Sequence, residues 1–240
     1  MGFIMNRIPI RLDDFPHGSR DLYLTKPHYE WLDIIVQAIS PFEECCIPYL
    51  LGVSPKLIKK GDIEWLNNHI DSGKVVMHGF DHHWSWSGEW EYIQDTWPLG
   101  GEFENKTATQ ILDLYKDCYK ILLEVKKFDH KWFIPPFNAY NQELLDALDF
   151  TPVENICSID TFHLDYRYKQ LDHKEIEIVM GSYNFSYASI DVVLENFLKI
   201  VPENQITLHW IFDSRKSGWI EKYKTFAETL AEEMENSFYE

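Results

Sequence analysis

The chain has 240 residues, of which 45% are hydrophobic and 15% aromatic, so a sizeable core is available and a largely disordered protein is excluded. Its 39 acidic residues outnumber 22 basic ones, which gives a formal net charge of -17 and disfavours nucleic acid as a partner. No apolar run approaches the roughly 18 residues that a membrane span requires, and the first residues do not form a signal peptide; we therefore expect no membrane association and a cytoplasmic location.

Apolar runs typical of strands alternate with helical patterns along the whole chain. The predicted strands cover 7–12, 47–53, 74–78, 131–134, 151–156, 176–180 and 206–211. The predicted helices cover 29–39, 62–70, 107–127, 141–148, 190–200 and 221–234, with N-caps at Asp62, Thr107 and Asn141. A long loop rich in Trp and Gly separates the third strand from the third helix, at about 79–104.

Strands that alternate with helices indicate parallel pairing. About seven such units in 240 residues favour an α/β fold that is a closed or nearly closed barrel, and an open, doubly wound sheet is the alternative. No repeat, low-complexity segment or linker interrupts the pattern, so residues 1–240 are predicted to form a single domain. In either architecture, functional groups are expected at the carboxyl ends of the strands.

Polar residues stand at those ends. Asp13 and Asp14 follow the first predicted strand, His78 ends the third, and His209 lies near the end of the last. Catalytic zinc sites use about three His and carboxylate ligands, and His78 and His82 are close enough in sequence to point at one ion together with Asp14. Each feature alone also fits a structural role, such as a turn or a core hydrogen bond, but their joint order favours a metal site.

Four segments, RLDDFP, HGFDH, WFIPPFN and TLHW, occur in an order and at separations that resemble the motifs of NodB-type polysaccharide deacetylases, carbohydrate esterase family 4. The resemblance spans residues 11–210 and implies a distorted (β/α) barrel. It also implies that Asp14, His78 and His82 bind one divalent metal. Zinc is the expected ion, and nickel, cobalt, manganese or iron suit the same ligands.

The same resemblance assigns the catalytic groups. It implies that Asp13 is the general base and that the backbone N–H of Phe137 stabilises the oxyanion. It implies that His209 is the general acid that protonates the leaving amine. The implied reaction is attack of metal-bound water on the amide carbonyl of an N-acetylated sugar.

The chain departs from the family pattern at several positions. Ile134 replaces the arginine that usually precedes the Pro-Pro pair, so Asp13 is expected to lack its usual partner. Arg11 is close in sequence, but strand alternation alone does not show that it reaches the site. Gly79 replaces the Ser or Thr that usually follows the first histidine. His83 is an alternative ligand to His82, and Asp160 is a weak match to a further acidic motif of the family.

Aromatic residues crowd the long loop. Trp84, Trp86 and Trp90, together with Pro136 and Phe137, are the predicted substrate-binding surface, because sugar rings pack their C–H faces on aromatic rings. The alternative is that these rings close the top of the barrel or form a partner interface.

These observations favour a metal-dependent hydrolase that removes an acetyl or similar acyl group from an N-acetylated sugar or glycan. The expected partner is therefore a carbohydrate or a sugar-containing small molecule. Two alternatives remain open: another metal-dependent amide or ester hydrolase on the same fold, and a non-catalytic glycan-binding protein.

Overall fold

The computed structural model describes residues 10–16, 27–82, 101–103, 105–159, 176–181, 189–196, 205–208 and 210–237. The strands in these ranges are β1 (Ile10–Phe15), β2 (Leu50–Val53), β3 (Lys74–His78), β4 (Phe128–Ile134), β5 (Asn155–Ile159), β6 (Glu177–Gly181) and β7 (Ile206–Leu208). The α-helices are α1 (His28–Glu44), α2 (Lys60–His69), α3 (Ala108–Leu122), α4 (Gln142–Leu148), α5 (Ile190–Asn196), α6 (Trp210–Asp213) and α7 (Trp219–Ser237). Short 3₁₀ turns cover Pro55–Leu57, Gly101–Phe103 and Pro136–Asn138.

The described strands form one parallel sheet with the order β6-β5-β4-β3-β2-β1-β7. Side chains bridge strands that are far apart in this order. The Gln205 amide, next to β7, donates a hydrogen bond to the carbonyl of Ser158 in β5. Such a contact requires the sheet to curl until its two ends approach each other. The distorted (β/α) barrel with about seven parallel strands is therefore confirmed, and the open, doubly wound sheet is not.

The two faces of the curled sheet carry different cores. Leu50, Val76, Ile134 and Cys157, from four successive strands, pack together on the inner face. The outer face packs beneath the helices in a much larger apolar cluster. Because side chains alternate along a strand, this division also fixes which neighbouring residues face inward.

Several strand bounds differ from the sequence prediction: β2 begins at Leu50 and not at residue 47, β4 begins at Phe128 and not at 131, and β5 covers Asn155–Ile159 and not 151–156. Two further differences lie at the carboxyl ends of β1 and β7. β1 continues to Phe15 instead of stopping at residue 12, because Phe15 is buried and pairs with Val53 of β2. β7 ends at Leu208, and a helical turn begins at Trp210, so the prediction of a strand to residue 211 was wrong. Trp210 is buried, and its indole N–H donates to the carbonyl of Asp13 at 2.6 Å, a long-range contact that the local apolar pattern could not reveal.

Helix ends follow local capping chemistry. The predicted caps Thr107 and Asn141 are confirmed, since their side-chain oxygens accept hydrogen bonds from the backbone N–H of Gln110 and Leu144. Asp62 is not the cap of α2 but lies in its first turn, where it accepts the N–H of Lys59. Among the helices of the described ranges, none combines the length and apolar character that crossing a bilayer requires.

A cluster of hydrogen bonds around Glu43 stabilises the end of the barrel opposite the carboxyl edge. The Glu43 carboxylate, near the end of α1, accepts the Tyr49 hydroxyl at 2.6 Å and the backbone N–H of Ser72 at 2.7 Å. It also accepts the N–H groups of Asp71 and Gly73. Burial alone would raise the pKa of Glu43, but these donors outweigh it and lower the pKa below its ordinary value.

These hydrogen bonds predict that Glu43 contributes to folding stability in a pH-dependent way. The folded-state pKa of Glu43 lies below its unfolded value of about 4.3. Its stabilisation is therefore present above that pH and is lost as the pH falls through the folded-state pKa. Urea unfolding should show that Glu43→Gln destabilises the protein more near neutral pH than at about pH 3. An equal difference at both pH values would contradict this.

Candidate metal centre

Three strands deliver chemically active groups to one edge of the barrel. Asp13 and Asp14 lie near the end of β1, His78 is the last residue of β3, and Pro135 follows the end of β4. Parallel strands place their carboxyl ends on the same side of a sheet, and this edge is where barrels of the β/α type carry their active sites.

An irregularity in β1 allows two consecutive aspartates to serve the same site. In a regular strand, Asp13 and Asp14 would point to opposite faces. The pairing of β1 with β2 instead shifts between Leu12 and Phe15, and Asp14 adopts a φ of 71°. This left-handed conformation is unfavourable for a residue with a side chain and is typical of functional sites. It turns the Asp14 carboxylate toward the histidines of the third strand and its loop.

Asp14, His78 and His82 converge. Oδ1 of Asp14 lies 2.9 Å from Nε2 of His82 and 3.2 Å from Nε2 of His78. One potential ligand atom from each residue lies within 4.8 Å of the others. Both histidines are buried and Asp14 is half-buried. Two imidazole nitrogens and one carboxylate oxygen form the donor set that suits a catalytic divalent cation.

The electrostatics of this cluster favour positive charge. Burial would raise the pKa of Asp14, but the charge of His82 and hydrogen bonds from both histidines hold it well below its ordinary value. Burial acts to lower the pKa of His78, yet Asp13 and Asp14 raise it above its ordinary value. A proton or a metal cation is stabilised at this position, and the two compete for the same nitrogen.

A backbone carbonyl orients His78. Its Nδ1 lies 3.1 Å from the carbonyl oxygen of Ile134, which also accepts the N–H of Gly79 at 3.0 Å. An N–H at Nδ1 satisfies that contact and leaves Nε2, on the Asp14 side of the ring, as the nitrogen that binds either a proton or a metal cation. A second contact of this kind commonly fixes the ring of a metal-binding histidine.

Glu102 supports the loop between the two histidines, and the sequence did not reveal this role. Its buried carboxylate accepts the N–H of Phe80 at 3.0 Å and of Asp81 at 3.1 Å. Burial and the charge of Asp81 raise its pKa to about 7, although the two N–H donors act in the opposite direction. A Cβ at Gly79, whose φ is 59°, would collide with Glu102 and Pro136. Glycine at position 79 therefore suits both the left-handed backbone and the close approach of Pro136 and Glu102.

Asp13 has an arginine partner. Arg11, fully buried on β1, donates through Nε and Nη2 to Oδ2 of Asp13 at 3.0 and 2.5 Å. Nη2 also donates to Oδ1 of Asn138 at 2.6 Å. The expectation that Asp13 lacks such a partner, drawn from Ile134, was wrong because Arg11 faces inward on the same side of the strand as Asp13.

Pro135 and Pro136 lie beside the loop that joins His78 to His82 (the ligand loop). Pro136 is buried, and its ring is so close to Gly79 that a Cβ there would overlap it. Pro135 and Pro136 have no N–H, so Phe137 carries the first backbone donor after β4. The two backbone hydrogen bonds of this turn are donated by the following residues, Asn138 and Ala139.

Several predicted site residues lie outside the described part of the chain. These are His209, Trp84, Trp86, Trp90, His83 and Asp160. For Phe137 only the backbone is described. The roles that the sequence suggested for these residues stay predictions.

Comparison with solved structures identifies the fold. No family model matches the chain, and no curated protein matches it. A family 4 carbohydrate esterase from Streptomyces lividans in complex with acetate superposes with a TM-score of 0.53 at 11% identity, over 95% of this chain and 88% of the other. The peptidoglycan deacetylase PdaC from Bacillus subtilis gives a TM-score of 0.53 at 11% identity, over 97% and 92% of the two chains. The chain has the carbohydrate esterase family 4 fold.

A further match to the family 4 fold is a pseudoenzyme from Bacillus anthracis, with a TM-score of 0.51 at 14% identity. The alignment covers 94% of this chain and 61% of the pseudoenzyme, so the chain spans less than two thirds of that protein's length. A mutant of this pseudoenzyme is described as having restored enzymatic activity. The family 4 fold is therefore found in both active and inactive proteins.

The ligand cluster predicts one zinc ion per chain. His82→Ala removes one of three ligands and should weaken zinc binding by more than the roughly 10- to 100-fold typical of substitutions outside the ligand set. A competitive chelator titration measures this. His69→Ala, which removes an exposed imidazole stacked on Trp65, is the matched control and should bind zinc as the unmodified protein does. Equal affinity in the two variants would contradict the assignment.

Two substitutions at Glu102 should lower zinc affinity to different degrees. Glu102→Ala leaves the N–H groups of Phe80 and Asp81 without their acceptor, and zinc affinity should fall about 10- to 100-fold. Glu102→Gln keeps an acceptor oxygen and should lose much less. If Glu102→Ala binds zinc normally, the loop does not depend on this carboxylate.

Proposed function

We propose that the chain is a metal-dependent hydrolase that removes an acetyl or similar acyl group from an N-acetylated sugar or glycan. The observation that carries the proposal is the Asp13 carboxylate, held in place beside the converging Asp14, His78 and His82 at the carboxyl edge of a family 4 fold. A ligand cluster and an adjacent base are the two parts that hydrolysis of an amide needs.

The donor set supports a divalent metal held by Asp14, His78 and His82. Zinc is our first choice, and nickel, cobalt, manganese or iron accept the same ligands. When bound, such a cation supplies Lewis acidity, which lowers the pKa of water and polarises a carbonyl oxygen.

Asp13 is the proposed general base. Oδ1 of Asp13 and Cβ of His78 both lie close to Gly52, since a Cβ at position 52 would be 3.2 Å from each of them. Oδ1 therefore sits over Gly52 on the His78 side. Oδ2 receives two hydrogen bonds from Arg11, at 2.5 Å from Nη2 and 3.0 Å from Nε, whereas Oδ1 receives one, at 3.1 Å from Nε. Oδ1 is therefore the oxygen positioned to take the proton of the attacking water.

Two further groups complete the proposed reaction. The N–H of Phe137 donates to the oxyanion that develops on the acyl carbonyl, a role that the preceding prolines favour because they offer no competing donor. His209 directly follows β7, the neighbour of β1, and gives a proton to the leaving amine nitrogen.

The segment 83–100 is the proposed source of substrate contacts. It joins His82 to the turn Gly101–Phe103, and the residues on either side of it lie near the proposed site, His82 as a proposed ligand and Glu102 as the acceptor of the Asp81 N–H. Trp84, Trp86 and Trp90 in this segment are proposed to pack on sugar rings, with Pro136 and Phe137 beside them.

Acetate release tests the proposal. Zinc-loaded protein is incubated with N-acetylglucosamine oligomers, peptidoglycan fragments and O-acetylated xylan, and free acetate is measured. Release from the amide substrates is the expected result. Asp13→Asn should reduce the rate by roughly 10²- to 10⁴-fold while zinc remains bound.

The alternatives give different outcomes. Release from the ester alone would indicate an O-deacetylase. No release from any substrate by folded, zinc-loaded protein would contradict the proposed deacetylase and favour the non-catalytic glycan-binding alternative. Full activity in Asp13→Asn would eliminate Asp13 as the base.

A further inference from the structure

Arg11 occupies an unusual place for a charged side chain. It lies in β1, two residues before Asp13, and is fully buried on the inner face of the curled sheet. Arginine is rarely buried without a partner, and here the guanidinium forms a fork on the Asp13 carboxylate. The pair is thus a built feature of the barrel interior at the edge of the candidate metal centre.

The Arg11 guanidinium also connects two strands that are not neighbours in the sheet. Asn138, which accepts its second bond at 2.6 Å, follows β4, whereas Arg11 belongs to β1. Two strands separate β1 from β4, so in a flat sheet they would stand roughly 14 Å apart. The curl brings them together, and Arg11 joins the base on one strand to the Pro-Pro turn after another.

The side chain at position 134 carries no positive charge that could pair with Asp13 in place of Arg11. Ile134 is buried on the inner face, where it packs with Leu50, Val76 and Cys157. It contributes to the site through its carbonyl oxygen, which accepts from His78. In the deacetylases that this chain resembles, this is the position of the arginine before the Pro-Pro pair.

We propose that Arg11 is the positioning residue for Asp13, and that it performs from β1 the task of an arginine at position 134. The inference rests on the proposed function, because it assigns what orients the general base. Nη2 of Arg11 donates to Oδ2, and Nε donates to both carboxylate oxygens, at 3.0 Å to Oδ2 and 3.1 Å to Oδ1, while Oδ1 also lies over Gly52 toward His78. Ile134 is then compatible with a working site.

The surroundings hold this arrangement from both sides. Trp210 donates to the Asp13 carbonyl at 2.6 Å, which fixes the backbone of the base. The Asn138 carbonyl accepts the Ser158 hydroxyl at 2.8 Å, which fixes the far end of the fork. Lysine has a single nitrogen and cannot reproduce the fork of Nε and Nη2 on one carboxylate.

Two substitutions of different severity test the proposal. Arg11→Met removes the fork, and Arg11→Lys keeps the charge but not the fork. Lys131→Met, which breaks an exposed ion pair with Glu154, is the control. For each variant, zinc affinity, kcat and KM for acetate release, and a crystal structure of the zinc-loaded protein are determined.

We expect kcat to fall about 10- to 100-fold in Arg11→Met and by a smaller factor in Arg11→Lys, with KM and zinc affinity unchanged. The crystal structures should show the Asp13 carboxylate rotated, with Asp14, His78 and His82 in place. Lys131→Met should match the unmodified protein. If Arg11→Met does not fold, Arg11→Lys provides the same readouts.

Other outcomes overturn the inference. An Asp13 carboxylate that keeps its orientation without the fork removes the positioning role, as does an unchanged kcat in an active protein. A parallel loss of zinc affinity and kcat would indicate a merely structural residue. If the unmodified protein releases no acetate, the proposed function fails separately, and the orientation of Asp13 in the variant structures still decides the role of Arg11.

Discussion

The site depends on the local break in β1 at Asp13 and Asp14. A regular strand separates consecutive side chains onto opposite faces, and the register shift after Leu12, with the left-handed backbone of Asp14, removes that restriction. One carboxylate can then face the histidines while the other meets Arg11. The neighbouring contacts, including the Trp210 hydrogen bond to the Asp13 carbonyl, hold the backbone in a conformation that it would not adopt alone.

Burying charge inside a small barrel is costly unless each charged group has partners. Removing an arginine and a carboxylate from water carries a desolvation penalty that only good geometry offsets. Arg11 meets this condition through Asp13 and Asn138, and Ser158 extends the network to β5. The network links strands that do not pair in the sheet, so it couples barrel closure to the orientation of Asp13.

Two departures from the family pattern each have a structural counterpart elsewhere in the chain. Glycine at position 79 leaves space that the Glu102 carboxylate fills, and this carboxylate binds the N–H groups of the ligand loop. Isoleucine at position 134 accompanies an arginine on β1 that reaches the same aspartate. Taken one position at a time, these differences suggest a weakened site. The three-dimensional structure adds polar groups that these two positions alone do not reveal, the Glu102 carboxylate beside Gly79 and the Arg11 guanidinium on Asp13.

The sequence by itself determined the features that depend on local chemistry. Periodicity predicted the alternation of strands and helices and the number of strands, and the caps at Thr107 and Asn141 follow from hydrogen bonds within one helical turn. Motif order also predicted which residue types would stand at the strand ends. The tertiary structure alone decided that Arg11 meets Asp13, that Glu102 supports the ligand loop, and that helix begins at Trp210. The reason is that strand alternation assigns a face but not a partner, and these partners come together only when the sheet curls.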